Sequence, residues 1–231
     1  MMTRITLSTY LLIISLISSC SSHDILHDAS KVFHDKPPSD SLEFYYPPSL
    51  NTKSFRRATW DNFAQNWYSS SLYSLKEPIL FKKSDTETMY RLLWLRSFDE
   101  PVCFSIKLFN NEWYLRTKML DRQPAFYPTV DDNSILQEAD RIAFIVFDQT
   151  IKLNESEWEK ISHFLMKINF WTINSIVKPD SAMDGSDWVL EGYKEGKYHY
   201  IQRDNGMDGL REFAEYLIKL SDLKITKENI Y

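Results

Sequence analysis

Cys20 is the side chain whose neighbours point most directly to chemistry. Residues 5–17 before it are mostly apolar, and the small residues Ser18 and Ser19 lead straight to its thiol. A thiol so placed can carry acyl chains. Carboxylates form a second group. Asp184, Asp187 and Glu191 could do acid/base work on a glycosidic bond if two of them faced one deep pocket at glycosidase-like separation. Asp180, Asp184 and Asp187, close to Gly185, could also gather oxygens around calcium. Their spacing does not match an EF-hand loop, and no bidentate glutamate stands at the required place. A loop capping the following hairpin is the simpler reading. Glu191, Arg203 and Arg211 admit a small polar site or plain cross-strand charge pairing.

The other reactive types are sparse. His23, His27 and His34 precede the main run of predicted elements, His163 falls on the exposed side of a predicted helix, and His199 alternates with Tyr198 and Tyr200. Each reads as a solvated or packed histidine, because a metal site needs several ligands on a rigid scaffold. Cys103 sits in an apolar alternating segment and reads as a buried small hydrophobe. With Cys20 acylated, Cys103 has no partner for an intramolecular disulfide, and no cysteine cluster exists for zinc. The chain has no Gly-x-Ser-x-Gly elbow, no phosphate loop and no His-Glu-x-x-His, and only 5 glycines. No catalytic set, cofactor or metal is therefore expected.

Stepping outward from Cys20, Arg4 supplies a positive start to an apolar stretch too short to span a bilayer comfortably. Ile17-Ser18-Ser19-Cys20 resembles the bacterial lipobox, which implies cleavage after residue 19 and palmitate-type acylation of Cys20. Several acyl chains anchor stably where one would be marginal. Ser21, by similarity to lipoproteins of enteric bacteria, implies the outer membrane. Loss of Arg4 takes the net charge from −5 to −6. That acidity suits nucleic acid poorly, since phosphate contacts come from Lys and Arg. Residues 20–54 hold Pro37, Pro38, Pro47 and Pro48 among serines and read as a flexible tether. Leu42-Glu43-Phe44-Tyr45-Tyr46 is an exception that could dock as an edge strand. Residues 55–231 suffice for one domain.

Within that domain a helix is expected from Thr59 to about Leu75, stopped by Pro78, and a short strand at 79–82. A strand over 89–97 carries Tyr90, Leu92 and Trp94 on one side and Leu93 and Leu95 on the other, so it should be buried on both faces. Residues 102–109 and 112–119 form a hairpin about Asn110-Asn111, residues that tolerate positive φ. A polar loop spans 120–140, and a strand falls within 142–153. Asn154 and Glu157 have capping-box spacing ahead of a helix whose buried stripe is Trp158, Ile161, Leu165 and Ile168. A second hairpin, 188–193 with 197–203, turns at Lys194-Glu195-Gly196, and a final amphipathic helix covers about 209–221. Hairpins in sequence with few helices predict an α+β fold, a mainly antiparallel sheet with about three helices packed on one face.

Trp67-Tyr68-Ser69, Lys76-Glu77-Pro78, Tyr90-Arg91-Leu92-Leu93-Trp94-Leu95-Arg96, the stretch 184–192, Gly196-Lys197-Tyr198-His199 and the helix at 210–220 occur in an order similar to uncharacterised bacterial, Bacteroidota-like lipoproteins. That resemblance covers about 58–224 and implies an envelope lipoprotein, with no activity or catalytic residue to transfer. The preferred expectation is a membrane-anchored envelope protein with a non-enzymatic binding role toward an envelope protein or glycan. An inhibitor or immunity-type protein of an envelope enzyme is one alternative, and a carboxylate-dependent hydrolase another. The candidate interaction surface is Trp94, Trp113, Trp188 and Tyr200, because Trp and Tyr anchor interfaces.

Overall fold

The computed structural model describes residues 23–40, 42–47, 63–124, 143–175 and 185–230. Six strands form one antiparallel sheet: β1 Thr88–Arg96, β2 Val102–Phe109, β3 Glu112–Leu120, β4 Ile145–Lys152, β5 Ser186–Lys194 and β6 Lys197–Asp204. Their order is β4-β3-β2-β1-β5-β6. Three α-helices lie among the described residues: α1 Phe63–Ser74, α2 Glu155–Lys167 and α3 Leu210–Leu220. The fold is thus α+β, with each antiparallel run followed by a helix. No helix among the described residues is long and apolar enough to cross a membrane.

β1 is central and buried along its whole length. Tyr90, Leu92 and Trp94 point to a face that α2 and α3 cover with Ile161, Leu165, Leu210, Phe213 and Leu217. Trp94 stacks there on Trp188 at 4.8 Å. Leu93 and Leu95 point to the other face, which α1 covers with Tyr68 and Leu72. The expectation of helices on one face is therefore corrected. A strand that carries buried side chains on both sides, Arg91 among them, needs a layer on each side, and α1 supplies the second.

The residues expected as a flexible tether are seated on the domain wherever they are described. Ile25 bridges to Ile151 on the edge strand β4. Leu26 N donates to Thr150 O at 2.8 Å, and Lys152 N to Asp24 O at 3.3 Å. Farther on, Tyr45 and Tyr46 are fully buried under α1. They do not form an edge strand. Tyr45 N donates to Ser69 Oγ, and Tyr46 O accepts from Gln65 Nε2, so helix side chains take the backbone groups a ladder would have used. Aromatic burial here outweighs the preference of a proline-rich segment for water.

Local signals are met where the backbone itself carries them. Asn154 and Glu157 form both halves of the capping box. Asn110 and Asn111 have φ of 50° and 62°, as the tight β2–β3 turn requires, and Glu195 and Gly196 do the same between β5 and β6. α1 ends as Lys76 turns left-handed and Glu77 N reaches back to Leu72 O, just before Pro78. Thr59, its expected cap, lies outside the described residues, as does most of the 120–140 loop. Residues 79–82 form a turn, not a strand. Lys83 N closes it on Leu80 O while Leu80 is buried.

Candidate functional site

The face beneath α1 and the N-terminal segment carries an unusual density of buried charge. Cross-strand neighbours Arg91 of β1 and Glu191 of β5 form a two-pronged ion pair, Nε and Nη2 lying 2.8 and 2.6 Å from Oε2. Arg91 Nη1 also donates to Pro78 O, and the Tyr198 hydroxyl donates to Glu191 Oε1 at 2.8 Å. Glu77, from the α1–β1 connection, accepts from Lys118 Nζ at 2.7 Å and Ser105 Oγ at 2.9 Å. Burial alone would raise the Glu77 carboxyl, but Lys118 and Arg91 outweigh it and hold it below the usual range. For Glu191 burial wins over Arg91, and its carboxyl is raised. Burial and then Glu77 push the Cys103 thiol up, which keeps it protonated and unreactive.

A second cluster ties the N-terminal segment to the sheet. Lys107 is fully buried and lies 3.1 Å from Asp35 and 2.9 Å from Glu87. Lys83 lies 2.8 Å from Asp35, 3.0 Å from Asp85 and 2.9 Å from Glu87. Burial raises the Asp35 carboxyl, but Lys83 and Lys107 overcome it and lower its pKa. His34, Asp35 and Glu87 bring ligand atoms within 4.8 Å of one another, a spacing that could hold a cation. Two ammonium groups already take that charge. A cleft of about 300 Å³ opens beside them, bordered by Lys36, Pro38, Glu43, Pro78 and Lys82.

The third cluster is a carboxyl pair. Asp187 and Asp204 face each other across β5 and β6, and Gln202 Nε2 donates to both at 2.7 Å. Burial, then the neighbouring Asp204 charge, pushes the Asp187 carboxyl up to about 7.

The residues singled out by type do not converge. Trp94 and Trp188 are fully buried and Tyr200 is only 5% exposed, so they cannot present an interaction surface. For Trp94 the expected double burial of β1 already spoke against a surface role; for Trp188 and Tyr200 alternation told which side they point to, not that this side is covered. Trp113 alone of the four stays part-exposed, stacked on Trp158 at 3.4 Å. Cys20, Asp180 and Asp184 lie outside the described residues. Asp187 and Glu191 share a face of β5, but Val189 stands between them and Glu191 is committed to Arg91. Arg203 is cross-strand from Trp188 on the opposite face, bound to Asp208 at 2.5 Å, and Arg211 pairs with Glu215. The Glu191–Arg203–Arg211 grouping therefore does not form. His163 is exposed, and His199 packs edge-on against Phe170.

Sequence reasoning missed an aromatic row at one end of the α2 face. Tyr90 contacts Trp113, Trp158, Phe170 and Trp171 with ring centroids 6.0–6.5 Å apart. Gly192 makes the row possible, because a Cβ there would lie 2.5 Å from the Phe170 ring. The signal was present in Phe170-Trp171 beyond α2, but only the fold brings that pair to Tyr90. No protein-family model, curated protein or solved structure matches this chain.

Proposed function

We propose that this chain is a lipid-anchored bacterial envelope protein, held to the outer membrane through acylated Cys20, whose domain acts by binding an envelope protein or glycan. The observation that carries the reading is the domain's polarity. His23 meets Glu157 at 2.7 Å at the start of α2, so the described part of the N-terminal segment begins at one end of the sheet, which supports an attachment on that side. The opposite end holds Phe98, 78% exposed, and Phe144, 65% exposed. Backbone bonds Asp121 N to Phe144 O and Ser97 N to Gly185 O gather that end together. Large exposed apolar side chains away from an anchor suit a docking end. The buried ion pairs suit a scaffold, since they are satisfied internally.

Two measurements test this. Intact mass of membrane-extracted protein should show a chain beginning at acylated Cys20, with Cys20→Ser released or unprocessed. A photo-crosslinking residue at Phe98 or Phe144 should capture a discrete envelope component in whole cells. An unmodified Cys20 removes the anchoring claim, and the absence of any adduct from either position removes the binding claim.

A further inference from the structure

We infer that the aromatic row at the attached end of the sheet, Trp113 and Trp158 with Trp171 beside them, rests in the headgroup region of the bilayer that holds Cys20. This rests on lipid attachment at Cys20 as proposed above.

The argument begins with reach. Three peptide steps separate Cys20 from His23, and an extended chain covers at most about 10 Å in three steps. His23 is fixed against Glu157, Asp24 O accepts from Lys152 N, and Ile25 bridges to Ile151. The anchor therefore cannot drift along the domain. The headgroup region is about 5–7 Å deep on each side of the hydrocarbon. His23 therefore lies in the headgroup region or within a few ångströms of it, and the side chains packed around it lie next to the bilayer.

The surroundings are aromatic. Trp158 follows Glu157 directly and stacks on Trp113, the second residue of β3. Leu153 N donates to Trp113 O, which locks β3 to the approach to α2. Tyr90 then joins the pair to Trp171, the most exposed of the row at 37%. Trp and Tyr rings concentrate at membrane–water interfaces, where a flat apolar ring and a polar N–H or O–H are both satisfied. Lys152, ion-paired with Glu112, and Lys160, whose ammonium lies 4.4 Å from the centre of the Tyr216 ring, are exposed at this end and would leave those partners to meet lipid phosphates. The row would hold the sheet upright on its anchor and turn the Phe98 and Phe144 end away from the membrane.

The test uses the full-length protein extracted from membranes and reconstituted in phosphatidylethanolamine–phosphatidylglycerol vesicles doped with brominated phosphatidylcholine. Tryptophan emission should fall against unbrominated vesicles, and Trp113→Phe with Trp158→Phe should remove more than half of that fall. Trp94 and Trp188, buried in the core, should contribute nothing to it. Should the double variant fold poorly, a nitroxide at Glu155→Cys in a Cys103→Ala background should report headgroup depth while the same label at Phe98→Cys reports water. Vesicle-bound protein with unquenched tryptophans, or equal label depths at the two ends, overturns the inference. A mass spectrum showing no lipid on Cys20 overturns the anchoring itself. Coupling Cys20 to a maleimide lipid then reads whether the row seats on a bilayer whenever it is held there, which separates the two failures.

Discussion

Arg91 and Glu191 face each other across β1 and β5, and both side chains are fully excluded from water. The pair lies in the middle of the sheet, beneath residues that arrive from the N-terminal segment and α1. Its surroundings explain how charge is tolerated there. Tyr198 satisfies the free oxygen of Glu191, and Pro78 O takes a remaining guanidinium N–H.

Removing one partner should leave the other charged and unpaired. Arg91→Ala or Glu191→Ala should each destabilise the domain by about 3–5 kcal/mol, read by urea unfolding. Arg91→Met combined with Glu191→Leu should recover much of that loss, because neither partner is left charged and Glu77 keeps Lys118. A loss below about 1 kcal/mol in either single variant would mean that water reaches the pair.

Asp187 should make the fold less stable as pH rises. Its carboxyl is raised from 3.8 to about 7 by burial and Asp204, so the folded state keeps a proton that the unfolded chain releases. Stability therefore falls between about pH 4 and pH 7. His199, lowered by burial, acts in the opposite sense near neutrality. Asp35 and Glu77, both lowered, matter only as pH falls into the acid range. The readout is thus a comparison: from pH 5 to pH 8 the thermal midpoint should drop more in the native protein than in Asp187→Asn. Parallel profiles would sink the idea.

Gly192→Ala should test the packing of the aromatic row. Its Cβ would meet Phe170 at 2.5 Å and Tyr90 at 3.1 Å, an overpacking that costs about 1–3 kcal/mol. Phe170→Leu in the same chain should relieve part of it. Additive losses in the double variant, measured by thermal unfolding, would show that the two residues do not press on each other.

Tyr46 should decide whether the N-terminal segment stays seated. Tyr46 packs edge-on against Tyr68 and Tyr200 with ring centroids 5.8 and 6.2 Å away. Tyr46→Ala should cost about 3–5 kcal/mol, the range for emptying a buried aromatic site. Cys103, in the same cluster, gives a second signal. It should resist a thiol reagent in the native protein and react faster in Tyr46→Ala. An equally slow reaction in both would mean that Tyr46 does not close that face.

Much of the framework was legible from side-chain order because its causes are local. The double burial of β1 followed from apolar residues on both phases of one strand. Asn110-Asn111 and Glu195-Gly196 announced their turns through tolerance of positive φ, and Asn154 with Glu157 announced α2. The site was far less legible. Ser105 and Lys107 alternate with the apolar residues of β2, and Lys118 falls among the polar residues of β3, yet all three are buried. Trp94, Trp188 and Tyr200 looked like anchors for a partner and are core residues instead.

By itself the amino-acid order determined the hairpins, the Asn154–Glu157 cap of α2, the α+β class and the expectation of an acylated Cys20, since each depends on residues a few positions apart. Only the tertiary structure decided that the proline-rich segment lies down on the domain, that α1 covers the second face, and that Glu77, Arg91, Lys118 and Glu191 share one buried network. Those outcomes hang on contacts between residues as far apart as Arg91 and Glu191, 100 positions along the chain. A buried lysine and a solvated one look alike in sequence. What distinguishes them is the distant carboxylate that the fold places at the end of the side chain.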